Sequence, residues 1–395
     1  MTSLRRNPRN YESFVGESCV TPMRRQSSDD SIETFTTQTN NTDSSMLGKI
    51  TKQIIPVVFA IFINLLDAVT FGTCFFPTIF GKTSSLAIDL FLLSTVAVQV
   101  VFIFMSSFQC GLGTSMAENI PFIHTMALGV YDAMEGAFTV DEMLPTVLAT
   151  VCVSTLLNGL AFFLVGYLRQ GYILHYFPRH VILGMTLGFG VFLLSTAFQV
   201  TTGITPDDNI IHNLTSMRTD DIVQLVLVCT MEVVLRLTSF CNLGETAGPV
   251  IMLIIPLSFY MVLWSANISF DQARQSNWLF PIAESSNGWD MWKYFDIQAI
   301  HWDIVLAQSP TVLSLAAFTL LLVPIRIPTL AMITGDEVDF DLELKAQGIG
   351  NILSAAMGSV HNYISYSNSV FFFNIGGGGK GSQTVVAGGS FLLFL

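Results

Sequence analysis

Asp67 stands in the run Asn64-Leu-Leu-Asp67-Ala-Val-Thr70-Phe-Gly72, inside an apolar stretch long enough to cross a bilayer. An acid at such a position costs roughly 2.5 to 3.5 kcal/mol on insertion scales. A carboxylate there serves a cation, a proton or a basic ligand, unless Asn64, Thr70 or a neighbouring helix holds it as a structural acceptor. Gly72 and Pro77 permit a local break that suits either role. Two further apolar segments, Gly111 to Val130 and Gly358 to Phe373, are interrupted by acids, amides and hydroxyls. The first reads Gly113-Thr-Ser-Met-Ala-Glu118-Asn119-Ile-Pro121, the second Gly358-Ser-Val-His361-Asn362-Tyr-Ile-Ser365-Tyr-Ser367-Asn368. Each is small or polar backbone followed by a short apolar helix. Half-helices of this kind expose free N–H groups and positive dipole ends in the middle of a bilayer, where a solute can be held.

Glu118 and Asn119 precede Pro121, a residue favoured in a first turn because its missing N–H is an orphan there anyway. The acid therefore sits at or near a helix N-terminus, either within reach of a solute or capping its own helix. His124, about one turn on, is a candidate proton relay or a packed hydrogen-bonding ring. Ser365, Ser367, Asn368 and Ser369 bring hydroxyls and an amide to the start of the second short helix, suited to backbone capping or ligand binding. The candidate substrate-binding set is thus Asp67, Glu118, Asn119, Ser365, Ser367 and Asn368, with Asp67, Glu118 and His124 as candidates for proton coupling. Glu232 and Arg236, four apart in one apolar run, are expected to pair structurally.

The elements that must position these groups are helical and membrane-embedded. Of 395 residues 51% are apolar and 12% charged, with a mean hydropathy of +0.58, too much hydrophobic surface for a water-soluble domain to hide. At about 20 residues per span, helices are predicted near 54–76, 86–106, 143–166, 181–200, 222–240, 248–266 and 304–325. The broken segments and two apolar runs after Lys345 complete an all-α polytopic membrane protein. Residues 1–48 differ: rich in Ser, Thr and Asn with balanced charge, they lack the apolar area to offset ordering entropy and are expected to form a disordered cytoplasmic tail. Arg24-Arg25-Gln-Ser27-Ser28 in that tail is a weak phosphorylation pattern.

The formal charge of -12 falls beyond the tail and gathers in loops, which disfavours nucleic acid as a partner. Lysines and arginines divide eight to four in favour of the side that holds the tail, predicting a cytoplasmic N-terminus. The loops 131–142, 201–221 and 267–303 then face away, two of them bearing the sequons at Asn213 and Asn267. The six cysteines have no metal spacing, no HExxH or GxSxG motif occurs, and Gly376 to Ser382 lacks the Ser or Thr that a phosphate loop needs after its lysine. The chain is read as no enzyme, with no cofactor or metal, and the glycine run as a flexible connection.

Tyr167-Leu-Arg-Gln-Gly171 through Pro178-Arg-His-Val-Ile-Leu-Gly184 and, above all, Glu343-Leu-Lys-Ala-Gln-Gly348-Ile-Gly-Asn351 resemble motifs of the sulfate permease (SulP) family over about residues 50–390. The resemblance implies fourteen spans as two inverted sevens, with half-helices three and ten facing each other across the substrate. Leu65-Leu-Asp67, Met116-Ala-Glu118, Val323-Pro-Ile-Arg-Ile-Pro328 and Tyr366-Ser-Asn-Ser-Val-Phe-Phe are most similar to the fungal vacuolar branch, which takes basic amino acids into vacuoles. Two departures stand out. Anion-carrying relatives have an arginine where this chain has Asn368, between Ser367 and Ser369. The chain also stops in what resembles span eleven, so about 11 of 14 spans are expected, without the STAS domain, in a truncated transporter domain of residues 49–395.

The resulting expectation is a secondary-active, proton-coupled transporter with alternating access, in a vacuolar or other endomembrane. A basic amino acid is preferred over sulfate or another inorganic anion, and a non-transporting scaffold is the rival from another class. The expected partners are a small-molecule or ion substrate, the lipid bilayer and a second copy in a homodimer.

Overall fold

In a computed structural model of the chain, the residues described are 46–72, 74–80, 83–171, 179–202, 217, 219–240, 247–276, 278–279 and 288–395. The tail through residue 45, with Arg24 to Ser28, lies outside them, as do Asn213 and the 172–178 stretch of the first family motif. The chain divides into Met1–Thr51, of which only the opening turns of the first helix are described, and Lys52–Leu395, which holds every other element named below.

Each of the seven long apolar runs forms a helix: α1 (Met46–Gly72), α2 (Ser84–Met105), α4 (Val140–Tyr167), α5 (Arg179–Thr202), α6 (Thr219–Phe240), α7 (Ala247–Ser265) and α10 (Ser309–Thr334). Between them lie β1 (Gly113–Thr114), α3 (Ile120–Met134), and the short α8 (Phe270–Gln275) and α9 (Trp302–Ala307); α11 (Phe340–Ala356), β2 (Tyr363–Ile364), α12 (Tyr366–Asn374) and α13 (Lys380–Phe394) follow. Four helices among the described residues, over Gln53–Gly72, Ser84–Met105, Glu142–Tyr167 and Ser309–Thr334, are long and apolar enough to cross a membrane. Many large side chains of α5, α6 and α7, such as Leu187, Leu194, Val226 and Trp264, point outward, a surface suited to hydrocarbon rather than water.

Three sequence expectations change. The run predicted to end at residue 325 continues as α10 through Pro324 and Pro328 to Thr334, which puts Arg326 inside a helix rather than in a cytoplasmic loop. Interior prolines survive because neighbouring segments can meet the carbonyls they release. Glu232 and Arg236 are both exposed on α6, and no ion pair joins them among the described residues. In contact with solvent or lipid headgroups, such a pair gains too little to fix two long side chains. The glycine run is also more than a connection, since Gly379 N–H donates to Gln109 O at 2.8 Å. Lys380 Nζ then reaches the carbonyls of Phe102, Ser106 and Phe108 at 3.0, 2.8 and 3.0 Å. An ammonium thereby satisfies acceptors at the C-terminal end of α2.

The core lies around α2, α4 and α11. α2 packs on α11 and α13, and α4 lies along α11 so closely that a Cβ on Gly348 would stand 2.4 Å from Phe163 N, and one on Gly159 2.8 Å from Ile352 N. Small residues at these crossings let two backbones touch, the usual basis of helix association in lipid. One apolar cluster gathers Leu90, Phe91, Ile123, Met126 and Val147; a second wraps Tyr363 and Ile364 with Phe102, Phe162, Val323 and Ile327. The interrupted segments are thus threaded through these two packed clusters.

Gly348→Ala should force α4 and α11 apart and cost about 1 to 3 kcal/mol by overpacking. Gly388→Ala on α13, where nothing lies within 4 Å, should change little. Thermal midpoints of the two variants in detergent test the contrast.

Candidate functional site

Backbone that leaves a helix inside a membrane must find partners for its N–H and C=O groups within the protein. Here the two interruptions satisfy each other. β1 and β2 pair antiparallel, Gly113 opposite Ile364 and Thr114 opposite Tyr363. The pairing extends past the strand end, with Ser365 N–H donating to Leu112 O at 2.8 Å and Leu112 N–H to Ser369 Oγ at 2.9 Å.

Buried amides hold this bridge from outside. Gln99 on α2 donates to Gly111 O at 3.0 Å and accepts from Gly113 N–H at 2.8 Å. Gln347 on α11 accepts from Ile364 N–H at 3.1 Å, so register partners on the two strands each receive a glutamine. Asn351, one turn further, accepts from Asn362 N–H at 2.9 Å and donates to Asn362 O at 2.8 Å, while Asn362 Nδ2 reaches Ser94 and Thr95 on α2. The Glu-Leu-x-Ala-Gln-Gly-x-x-Asn pattern thereby acquires a physical reason. Its glutamine and asparagine tie down the second break, and its buried Glu343 accepts from Ser107 N–H at 2.5 Å beyond α2.

From this bridge the two short helices start. α12 opens with Ser365 as N-cap, its hydroxyl accepting from Asn368 N–H at 3.3 Å. α3 opens behind the 3-10 turn Ala117–Asn119 with Pro121 in its first turn, as the sequence predicted. Asp67 on α1 reaches both breaks at once. Its Oδ2 accepts from Asn368 Nδ2 at 2.8 Å and from Thr114 Oγ1 at 3.4 Å. Asn368 Oδ1 in turn accepts from Ser367 Oγ at 3.4 Å. Of the local alternatives for Asp67, Asn64 instead donates to Ser390 Oγ at 3.2 Å. Among the described residues no cation forms an ion pair with Asp67.

Glu118 has a different environment. It does not cap α3; its Oε1 pairs with Arg326 Nη2 from α10, and Arg326 Nη1 points at Met116 Sδ at 3.4 Å. Glu118 is therefore not a free carboxylate, because Arg326 neutralises it. The cause is the unbroken course of α10, which carries the guanidinium into the protein instead of to a loop. Asn119 has no exposed surface, and neither amide atom meets a partner among the described residues; the Ser115 hydroxyl shares that condition. His124 is partly buried, its ring packed edge-to-face with Phe192 and bonded to the Cys74 backbone, partners outside the Asp67 cluster.

The structure thus gathers Asp67, Ser365, Ser367 and Asn368 at one point, and sets Glu118 with Arg326 four residues along the first break. Thr114, Gln99, Gln347 and Arg326 were not singled out by sequence reasoning. The available signals were lone amides in apolar helices and a basic residue between two prolines, Pro324 and Pro328. Among the described residues no cluster of His, Cys, Asp and Glu is arranged to hold a metal.

Residues 47–393 match the Sulfate permease family. The chain is 35% identical over 342 residues to the vacuolar basic amino acid transporter VSB1 of Saccharomyces cerevisiae, a match that covers 84% of this chain and 33% of that protein. The chain therefore spans about a third of the length of that relative. Among solved structures, SLC26A9 superposes with a TM-score of 0.61 at 17% identity, over 89% of this chain and 55% of that one. The transmembrane domain of the cyanobacterial bicarbonate transporter BicA gives 0.60 at 15% identity, over 89% and 83%. At these identities the two solved structures establish a shared fold alone.

Replacing Gln99 by Leu strands two backbone groups, whereas Gln347→Leu strands one. At about 1 to 3 kcal/mol per unsatisfied group, Gln99→Leu should be the more destabilising by about a factor of two. Thermal unfolding, with hydrogen exchange at the Gly113 and Ile364 amides, gives the comparison.

Proposed function

The chain belongs to the sulfate permease family, and from that premise we propose that it moves a basic amino acid across a vacuolar membrane by alternating access, coupled to protons. The N-terminus lies in the cytoplasm on this reading. The carrying observation is Asp67: a half-buried carboxylate that, among the described residues, is bonded to neutral side-chain donors, an amide and a hydroxyl, at the meeting point of both interrupted segments. A charge so placed is expensive until a cation or a proton joins it. The two occupants compete for the same oxygens, which is the simplest route by which a proton gradient can drive a cationic solute. Glu118 suits proton exchange less well, because protonating it would break its pair with Arg326.

Two further points support the cationic preference. The arginine that the resemblance assigns to anion-carrying relatives is replaced here by Asn368, whose amide turns its donor toward Asp67. The relative named above carries basic amino acids by its description. A second reading, transport of sulfate or another inorganic anion, draws on Arg326, the guanidinium beside the start of α3.

Uptake of labelled arginine and labelled sulfate into vesicles, with and without a pH gradient, separates the readings. Arginine should enter, faster with the gradient, and Asp67→Asn should lower that uptake about tenfold or more, equivalent to at least ~1.4 kcal/mol, while inserting normally. Sulfate entry without arginine entry would overturn the proposal, and an Asp67→Asn variant with undiminished function would point to a scaffold.

A further inference from the structure

Arg326 is the sole charged residue of α10, and its guanidinium is under-used. It meets Glu118 through Nη2 and one carboxylate oxygen, while Nη1 faces the thioether of Met116. Guanidinium offers five N–H donors in a planar fork that fits a carboxylate along two parallel bonds, and a thioether is a weak acceptor. A carboxylate that took both arms of the fork would therefore displace the sulfur at Nη1 and Glu118 at Nη2, exchanging one strong bond and one weak contact for two strong bonds. The pair is also reachable, for its two side chains retain 26% and 18% of their exposure. Buried Glu343, by contrast, has none.

The position of the pair fits the same occupant as Asp67. Thr114, bonded to Asp67, and Glu118, bonded to Arg326, are four residues apart on one segment, so their Cα atoms lie within about 14 Å even if that segment were fully extended. Asp67, Glu118 and Arg326 together present two negative charges and one positive. A basic amino acid presents two positive charges, the α-ammonium and the side-chain cation, and one negative, the α-carboxylate. Each charge of one set has an opposite in the other. A simple amine satisfies the acids but brings nothing to Arg326.

We infer that Arg326 is a specificity-determining residue that binds the α-carboxylate of the solute, taking it in exchange for Glu118 and so selecting amino acids over decarboxylated amines. The inference rests on the reading of this site as one for basic solutes. In the exchange no covalent bond changes: Glu118 leaves the guanidinium and becomes available to a cationic group of the solute.

The test uses vesicles holding the full chain, with labelled L-arginine and labelled agmatine, which keeps the guanidinium and lacks the carboxylate. Wild type should prefer arginine by about tenfold, the effect of one such charge-assisted contact. Arg326→Gln should bring the ratio toward one, and Arg326→Lys should retain part of the preference. If Arg326→Gln fails to insert because Glu118 is left unpaired, the double variant Arg326→Gln/Glu118→Gln removes both charges and should likewise lose the preference. Equal uptake of arginine and agmatine by wild type, or a preference that survives the double variant, overturns the inference while leaving a basic-solute carrier in place. Uptake of sulfate with neither amine entering would instead remove the reading on which it rests.

Discussion

Inside hydrocarbon no water is present to receive a stray N–H or C=O, and every feature of the site descends from that constraint. An unbroken helix meets it with no help. A chain that leaves the helix to create a binding point must replace each lost bond, and this one does so by bringing its two interruptions together as a two-residue antiparallel pair. Gln99 and Gln347, set on the helices that precede the two breaks, each complete one register partner. Packing supplies the rest: Gly159 and Gly348 allow α4 and α11 to touch, which seats the Gln347 helix firmly enough to act as an anchor.

On this neutral framework the charges are few and differently handled. Lys380 is consumed by the carbonyls at and just beyond the end of α2, and Glu343 by the amide of Ser107. Glu118 and Arg326 hold one another across α3 and α10. Asp67 is held by two uncharged side chains, one from each break, so its ionic state can change without dismantling an ion pair. The charges thus divide into those tied into the framework and Asp67, which joins the two breaks through neutral partners.

Much of this was legible in the sequence. The long apolar runs announced their helices because lipid imposes a length as well as a composition, and the breaks showed as clusters of Gly, Ser and Asn where such runs should have continued. Asp67 and Asn368 stood out because polar groups there are costly. Their bond to each other did not, since 301 residues separate them and nothing local records the pairing. Arg326 was misplaced for a related reason: two prolines mark a helix end in water, whereas in lipid neighbouring segments carry the helix onward through both. Gln99 and Gln347 look like ordinary amides until the strands they bind are known to exist.

The strand pair that joins the two breaks has a mechanical corollary. Four residues, stapled by their own amides and by a glutamine from either side, cannot part without exposing several polar groups to hydrocarbon at once. A jaw that opened along this seam would break several buried hydrogen bonds together. Thr114 and Asn368, the two partners of Asp67, are therefore held on one rigid cradle, and any larger rearrangement of the bundle is easier along surfaces other than this seam.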